Sequence, residues 1–259
     1  MSTSKKTVTA AVIVIGNEIL SGRTQDKNVA HIALTLNEVG VRLSEVRVVP
    51  DIEAEIVDSV NTLRAKFDYV FTTGGIGPTH DDITAECIAK AFGQKLIQHP
   101  EAKRRLMEHY EHSEMELNAA RMRMANTPEH ASLIDNPIST APGFQVENVF
   151  VMAGVPSIMR AMLDGVKGGL VGGTPVISHT VLCNLGEGKV AGGLGEIQKS
   201  YPEVDIGSYP QYARGEFRVS LVMRGTDAAE LNACAEEVMA MVTRLGGTPK
   251  VLNEEEDEA

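Results

Sequence analysis

The sequence contains no tryptophan, three cysteines and only 4% aromatic residues. The cysteines, Cys87, Cys183 and Cys234, are odd in number, far apart and set in apolar stretches with no Cys-x-x-Cys pair, which argues against a disulfide scaffold and a zinc ribbon. Positive charge is in deficit as well, with 24 Lys and Arg against 35 Asp and Glu and a net charge of −11. Part of that excess sits at the end, where Glu254, Glu255, Glu256, Asp257 and Glu258 follow one another. Without a basic run the electrostatic attraction behind nucleic-acid affinity is missing, and an anionic membrane surface would repel the chain. The longest early apolar run, VTAAVIVI, falls far short of the roughly 18 residues of a membrane span. It meets Gly16-Asn17-Glu18 with no small-residue cleavage site, so a secretory signal is not expected and the cytoplasm is the expected compartment.

What is present is the composition of a folded protein, 43% hydrophobic and 23% charged. At roughly 150 residues per domain, 259 residues allow one large domain and a smaller one. The run from Val8 to Ile15 lacks alternation, as a strand buried on both faces does. Val29, Ile32, Ala33, Leu36 and Val39 then recur at helical spacing, with Asp26 placed to cap and Gly40 to terminate. Strands are read at 41–49, 68–73 and 148–152, and helices at 52–65, 81–92 and 156–163. Residues 100–125 read as a polar helical region, followed by an irregular stretch broken by Pro128, Pro137 and Pro142.

Strand–helix alternation with short connections predicts a mostly parallel sheet covered by helices on both faces, with ligands bound beyond the carboxyl ends of the strands. Gly168, Gly169, Gly172, Gly173 and Pro175 mark a boundary. A smaller α/β unit is expected beyond it, with strands near 175–184, 204–209 and 216–224, a Gly-rich helix ending near Tyr201, and a helix carrying Leu231, Cys234, Val238, Met241, Val242 and Leu245 on one stripe. The division read from the sequence is 1–170, 171–250 and an acidic tail at 251–259 predicted to be disordered.

The segment Thr72-Thr73-Gly74-Gly75-Ile76-Gly77-Pro78-Thr79-His80-Asp81-Asp82 leaves a buried strand, passes three glycines and opens a helix. Glycines let backbone approach a ligand, and free N–H groups at a helix start attract anions. It is neither a Walker A loop nor the dinucleotide Gly-x-Gly-x-x-Gly, so a phosphate cradle of another kind is expected; a plain strand-to-helix turn capped by Thr79 is the competing reading. Glu18 after the first strand and Asp51 after the second reach the same edge, where they converge with Asp82 on a hard cation. A second loop-to-helix entry, Ala153-Gly154-Val155-Pro156-Ser157, offers Gly154 and Ser157 to another anionic group. His109 and His112 lie among glutamates on a polar helix and read as a solvated face; Arg121 and Arg123 read equally well as ligand clamps or as a charged helix face.

The motif TTGGIGPTHDDIT, with GNEIL before it, resembles the MoaB/Mog domain family of molybdopterin-handling proteins. RTQDKNVAHIALTLNEVGV, NPISTAPGF and MAGVPSIM extend the resemblance to the N-terminal part of the CinA-like, competence/damage-inducible branch. The resemblance implies a three-layer α/β/α domain with a mostly parallel sheet, then a small α/β domain, and a homodimer. It maps Gly74, Gly75, Gly77 and Thr79 onto a phosphate-binding loop and its acidic positions onto Asp51 and Asp82, with Glu18 in its Gly-x-Glu turn; with these, Thr73, Pro78 and Asp81 are expected to bind the ligand, Asp51 and Asp82 to be catalytic, and Glu18, Asp51 and Asp82 to hold the metal. The CinA-like branch implies divalent-metal-dependent cleavage (Mg²⁺, Mn²⁺ or Co²⁺) of nucleotide pyrophosphates of the ADP-ribose or FAD class. Two other readings remain open: molybdopterin binding or adenylylation, and a catalytically silent ligand-binding module. Ala153 and Ile158 depart from the proline and acidic residue usual in that branch, and no deamidase domain is expected after the small domain.

Overall fold

The computed structural model describes residues 7–213 and 216–252, and the chain divides into two compact units after Thr174. The first unit opens with β1 (Val8–Ile15), a single helical turn α1 (Asn17–Leu20), α2 (Asn28–Glu38), β2 (Val41–Val49), α3 (Glu53–Lys66), β3 (Tyr69–Thr73) and α4 (Thr84–Ala91). It continues through β4 (Leu96–Gln98), α5 (Pro100–Glu111), α6 (Ala119–Met122), β5 (Asn126–Pro128), β6 (Ser132–Ile134), β7 (Gly143–Val146), β8 (Val149–Met152) and α7 (Pro156–Lys167). Six strands form one sheet in the order β2-β1-β3-β8-β7-β6; the first four are parallel and the last two antiparallel.

Burial on both faces explains why β1 does not alternate. Ala10, Val12 and Val14 point into a core shared with Ile32, Leu36, Met159 and Leu163 of α2 and α7. Ala11, Ile13 and Ile15 point into a second core with Ile56, Val60, Cys87 and Ile88 of α3 and α4. Each large aliphatic side chain buried this way contributes roughly 1.5–3 kcal/mol. Asp26 caps α2 as expected, its Oδ1 accepting from the N–H groups of Asn28 and Val29. Gly40 ends α2 with φ of 71°, and its backbone lies so close to Gly173 that a Cβ would meet the Gly173 carbonyl at 2.2 Å. A Cβ on Gly172 would in turn meet the Val39 carbonyl, which is one reason for the glycine there.

Three features depart from the sequence reading. The helix expected from Asp81 begins only at Thr84, because Thr84 N donates to Gly75 O and its hydroxyl to Gly74 O, while Ile83 N turns back to Asp81 O. The irregular proline-rich stretch contains three short strands, β5 to β7, and Pro128 stands in one strand of the two-stranded β4–β5 sheet. Val251 and Leu252, read as the start of the acidic tail, pair instead with the strand Ile177–Cys183; residues 253–259 of that reading lie outside the described residues.

The second unit contains β9 (Ile177–Cys183), α8 (Glu187–Ser200), β10 (Asp205–Ala213), β11 (Glu216–Gly225), α9 (Ala228–Arg244) and β12 (Lys250–Leu252). Its sheet is antiparallel throughout, in the order β10-β11-β9-β12. The predicted stripe of α9 meets Val190, Leu194 and Ile197 of α8 and Val181, Val219 and Leu221 of the sheet in one core. Asp227 caps α9 through the N–H groups of Ala229 and Glu230. No helix among the described residues is long and apolar enough to cross a membrane.

Candidate functional site

The four parallel strands end on one edge, and the order β2-β1-β3 means that the chain leaves β1 toward one side and returns on the other, which opens a crevice at that point. A cavity of about 580 Å³ occupies it. Gly16 and Glu18 come from the end of β1, Asp51 from β2, Gly74–Gly77, Pro78, Asp81 and Asp82 from β3, and Gly154 from β8. Glu18, Asp51 and Asp82 and the glycine loop thus line one cavity.

The loop itself is shaped by close packing. Gly74 and Gly75 have φ of 102° and 68°, values that favour glycine. A Cβ on Gly74 would lie 2.2 Å from the Ile15 carbonyl, and one on Gly75 would lie 2.1 Å from the Thr84 hydroxyl. Gly74 N donates to Met152 O at 3.1 Å, which ties the loop to β8. The next three N–H groups, of Gly75, Ile76 and Gly77, bond to no group among the described residues and border the cavity. Successive free backbone donors in such a curve form an anion-binding concavity.

The carboxylates are partly engaged. Asp82 Oδ2 accepts from the Thr79 N–H at 2.7 Å and from the Thr79 hydroxyl, which closes the turn from 79 to 82. Thr79 is thereby spent on Asp82 and does not line the cavity. Asp51 Oδ2 accepts from Asn17 N at 2.9 Å and so fastens the turn of α1. Glu18 folds over Gly16, where a Cβ would lie 2.6 Å from its carboxylate oxygens. Among the described residues no three His, Cys, Asp or Glu side chains form a group able to enclose a metal ion, so the expected Glu18–Asp51–Asp82 set is not a ready-made cage.

Two expected residues lie elsewhere. Ser157 is exposed on α7 and does not line the cavity, to which this segment contributes Val155, Pro156 and Ile158 instead. Thr73 is buried at the end of β3 and lines a separate small chamber. The arginines are resolved by their partners. Arg123 donates to the carbonyls of Thr79 and Asp82 at 3.0 and 3.2 Å and braces the loop from behind, while Arg121 donates to Glu116 O and stacks on Tyr110 away from the cavity. His109 Nδ1 lies 3.1 Å from the Thr140 hydroxyl.

Sequence reasoning missed the contribution of residues 136–141. Asn136 accepts from the N–H groups of Ile138 and Ser139 and donates to Ala141 O, a tight turn that leaves Thr140 at φ of 66° and places Asn136, Ser139 and Ala141 on the cavity wall. Asn136-Pro137 marked a turn in the sequence, and nothing local linked it to the glycine loop.

Residues 11–171 match the family described as "Probable molybdopterin binding domain", and residues 175–246 match the "FAD synthase, middle domain". A protein of Archaeoglobus fulgidus is 35% identical over 201 residues, covering 77% of this chain and 85% of that one. A CinA-like protein of Geobacter metallireducens is 34% identical over 249 residues, 92% of this chain but 60% of the relative, so the chain spans only part of that protein. The crystal structure of a CinA protein of unknown function from Thermoplasma acidophilum superposes with a TM-score of 0.59 at 35% identity, over 63% of this chain and 99% of that one. With the parallel sheet and the glycine loop on its carboxyl edge, the chain belongs to the MoaB/Mog family of probable molybdopterin-binding domains, joined to a domain like the middle domain of FAD synthase.

Proposed function

We propose that the protein binds the diphosphate of a nucleotide of the ADP-ribose or FAD class in the 580 Å³ cavity and hydrolyses its pyrophosphate bond with a divalent metal ion. The observation that carries this reading is the run of three unbonded N–H groups at Gly75, Ile76 and Gly77, facing acidic side chains across one cavity. These donors are placed to hold one phosphoryl group and to stabilise the charge that grows on its oxygens as the bond breaks. The match of the second unit to a FAD synthase domain favours a dinucleotide over a simple phosphate.

The donor set suits a hard cation: it is all oxygen, and the hydrogen bonds of Asp51 and Asp82 use only Oδ2 of each. Mg²⁺ is usually held by one or two carboxylates plus the phosphate oxygens of its nucleotide. One or two of Asp51, Asp82 and Glu18, with phosphate oxygens of the nucleotide, would hold it, and it would supply charge neutralisation and a more acidic water. The protein's own part is positional. Thr84 engages the Gly75 and Gly74 carbonyls through its N–H and hydroxyl, and Arg123 and the Asp82–Thr79 bonds brace the turn that follows, which holds the loop in the shape that would receive the phosphate.

The test is a hydrolysis screen of ADP-ribose, FAD, NAD and dinucleoside polyphosphates with Mg²⁺, Mn²⁺ and Co²⁺, with Asp82→Ala beside the wild type. Turnover lost in the variant supports the reading, and silence across the panel overturns it. The family description favours a second reading, a pterin phosphate on the same N–H groups. Its mark would be an adenylylated product from molybdopterin and Mg-ATP, or tight binding without turnover. A homodimer, checked by light scattering, is part of the proposal.

A further inference from the structure

β2 stands at the edge of the large sheet, and no strand pairs with its outer side among the described residues. Val49 O accepts from Gly16 N, so the backbone groups of Val49 face β1. Successive residues of a strand turn their N–H and C=O to opposite sides, which leaves those of Val48 and Val46 pointing outward. An open row of this kind is a template for another strand. Val46 and Val48 are each 41% exposed along it. The ladder with β1 skips Ser44, pairing Ala10 with Leu43 and Ala11 with Glu45, so Ser44 is a bulge and the regular run begins at Glu45.

The charges on that run select one partner, a second copy of this chain. Two-fold symmetry requires β2 to pair with itself antiparallel, with outward backbone groups facing one another, and each such register is centred on one residue. Centred on Glu45, the two Glu45 carboxylates would oppose each other; centred on Arg47, the two guanidinium groups would; centred on Val48, Glu45 would meet Asp51 of the second copy. In the register centred on Val46, Glu45 lies opposite Arg47 of the second copy, twice over by symmetry, and Val46 lies opposite itself. The charged pairs then occupy the closer, non-hydrogen-bonded positions, with Cα atoms about 4.5 Å apart, while Val46 exchanges two N–H···O bonds across the axis. Within one chain Arg47 donates to Glu45 through Nε at 2.9 Å and Lys66 Nζ donates to the other oxygen at 2.7 Å. That leaves the two Nη groups of Arg47 for Glu45 of the second copy, whose carboxylate has about four acceptor sites.

We propose that β2 pairs with β2 of a second copy, antiparallel about Val46, so that the two six-stranded sheets join into one. The inference rests on the homodimer proposed above and names its interface. Asp51 lies five residues from the axis in each copy, which sets the two Asp51 residues roughly 30 Å apart at about 3.3 Å per residue, so each copy keeps its own cavity.

The experiment is sedimentation velocity on the full chain, for the wild type, Glu45→Arg, Arg47→Glu and an equimolar mixture of those two variants. In Glu45→Arg every cross-strand charged pair becomes Arg against Arg, in Arg47→Glu every one becomes Glu against Glu, and in the mixed dimer every one is opposite in sign again. The wild type and the mixture are expected to be dimeric, and each variant alone to show a dimer Kd raised at least about tenfold, because two pairs turn from attraction to repulsion. Val46→Lys, which sets two ammonium groups against each other on the axis and keeps Glu45 and Arg47, is expected to weaken the dimer likewise, and it decides the matter if a charge variant fails to fold. A dimeric wild type whose variants associate as tightly overturns this interface and leaves the homodimer standing. Variants that dissociate and are not restored by mixing overturn the register, and with it the interface. A monomeric wild type overturns the interface and the homodimer together, while the hydrolysis screen above is read independently of either.

Discussion

Asp82 turns its carboxylate back on Thr79, so that Oδ2 takes both the backbone N–H and the hydroxyl of that residue. The acid shapes the loop as well as facing the cavity, and its two tasks separate by mutation. Asp82→Ala removes both and is expected to lower kcat/KM for ADP-ribose by about 100-fold or more, as loss of a charge-stabilising group does. Thr79→Val keeps the N–H bond and the acid and is expected to lose less than about tenfold. Steady-state kinetics on the two variants checks the contrast.

Gly74 and Gly93 both have positive φ, but their surroundings differ. A Cβ on Gly93 meets open space, so Gly93→Ala is expected to cost only the backbone preference, about 1–2 kcal/mol. On Gly74 it would strike the Ile15 carbonyl at 2.2 Å, and Gly74→Ala is expected to cost about 3 kcal/mol or more and to abolish phosphate binding. Urea unfolding curves give the two numbers.

Asp51 has a structural duty at Asn17 beside any catalytic one. Asp51→Asn retains an oxygen for that N–H and is expected to leave stability nearly unchanged while abolishing hydrolysis. Asp51→Ala loses the cap too, at about 1 kcal/mol. Hydrolysis undiminished in Asp51→Asn would remove Asp51 from the catalytic set.

Burial pushes the Cys87 thiol up to about 12, with Glu53 and Glu86 adding to the shift, and all three cysteines are buried. A thiol held protonated in the fold favours the native state fully below the unfolded thiol value of about 8.5, and that advantage is lost as pH climbs from there toward 12. Ellman's reagent at pH 8 is therefore expected to find no fast-reacting thiol until denaturant is added. In Cys87→Ala, the alkaline loss of stability should be shallower than in the wild type, with the Cys234 thiol, which burial pushes up to about 11, still contributing.

The elements legible in the sequence were those whose signal is local and long. β1 announced itself because an unbroken β-branched run is what two-sided burial requires, and α9 because its apolar stripe keeps one period over its length. The start of α4 was misread because Asp81 and Asp82 look like first-turn acids, whereas Thr84 is drawn to the Gly74 and Gly75 carbonyls from ten and nine residues back. β4 to β7 span three or four residues each, too few for any period to show. The glycine loop was readable for the same reason as β1. The engagement of Asp51 with Asn17 and the bracing by Arg123 are tertiary facts, created when separate segments meet, and no spacing encodes them.

The anion site proposed at Gly75–Gly77 would be made from main-chain N–H groups. Such donors have no ionisation of their own across ordinary pH, so the grip on a phosphate follows the ionisation of the ligand rather than that of the protein. They also have no side chain to lose. Drift at the neighbouring positions can retune which molecule is held, how fast it is released and whether it is cut, while the capacity to hold phosphate survives for as long as the backbone keeps its curve.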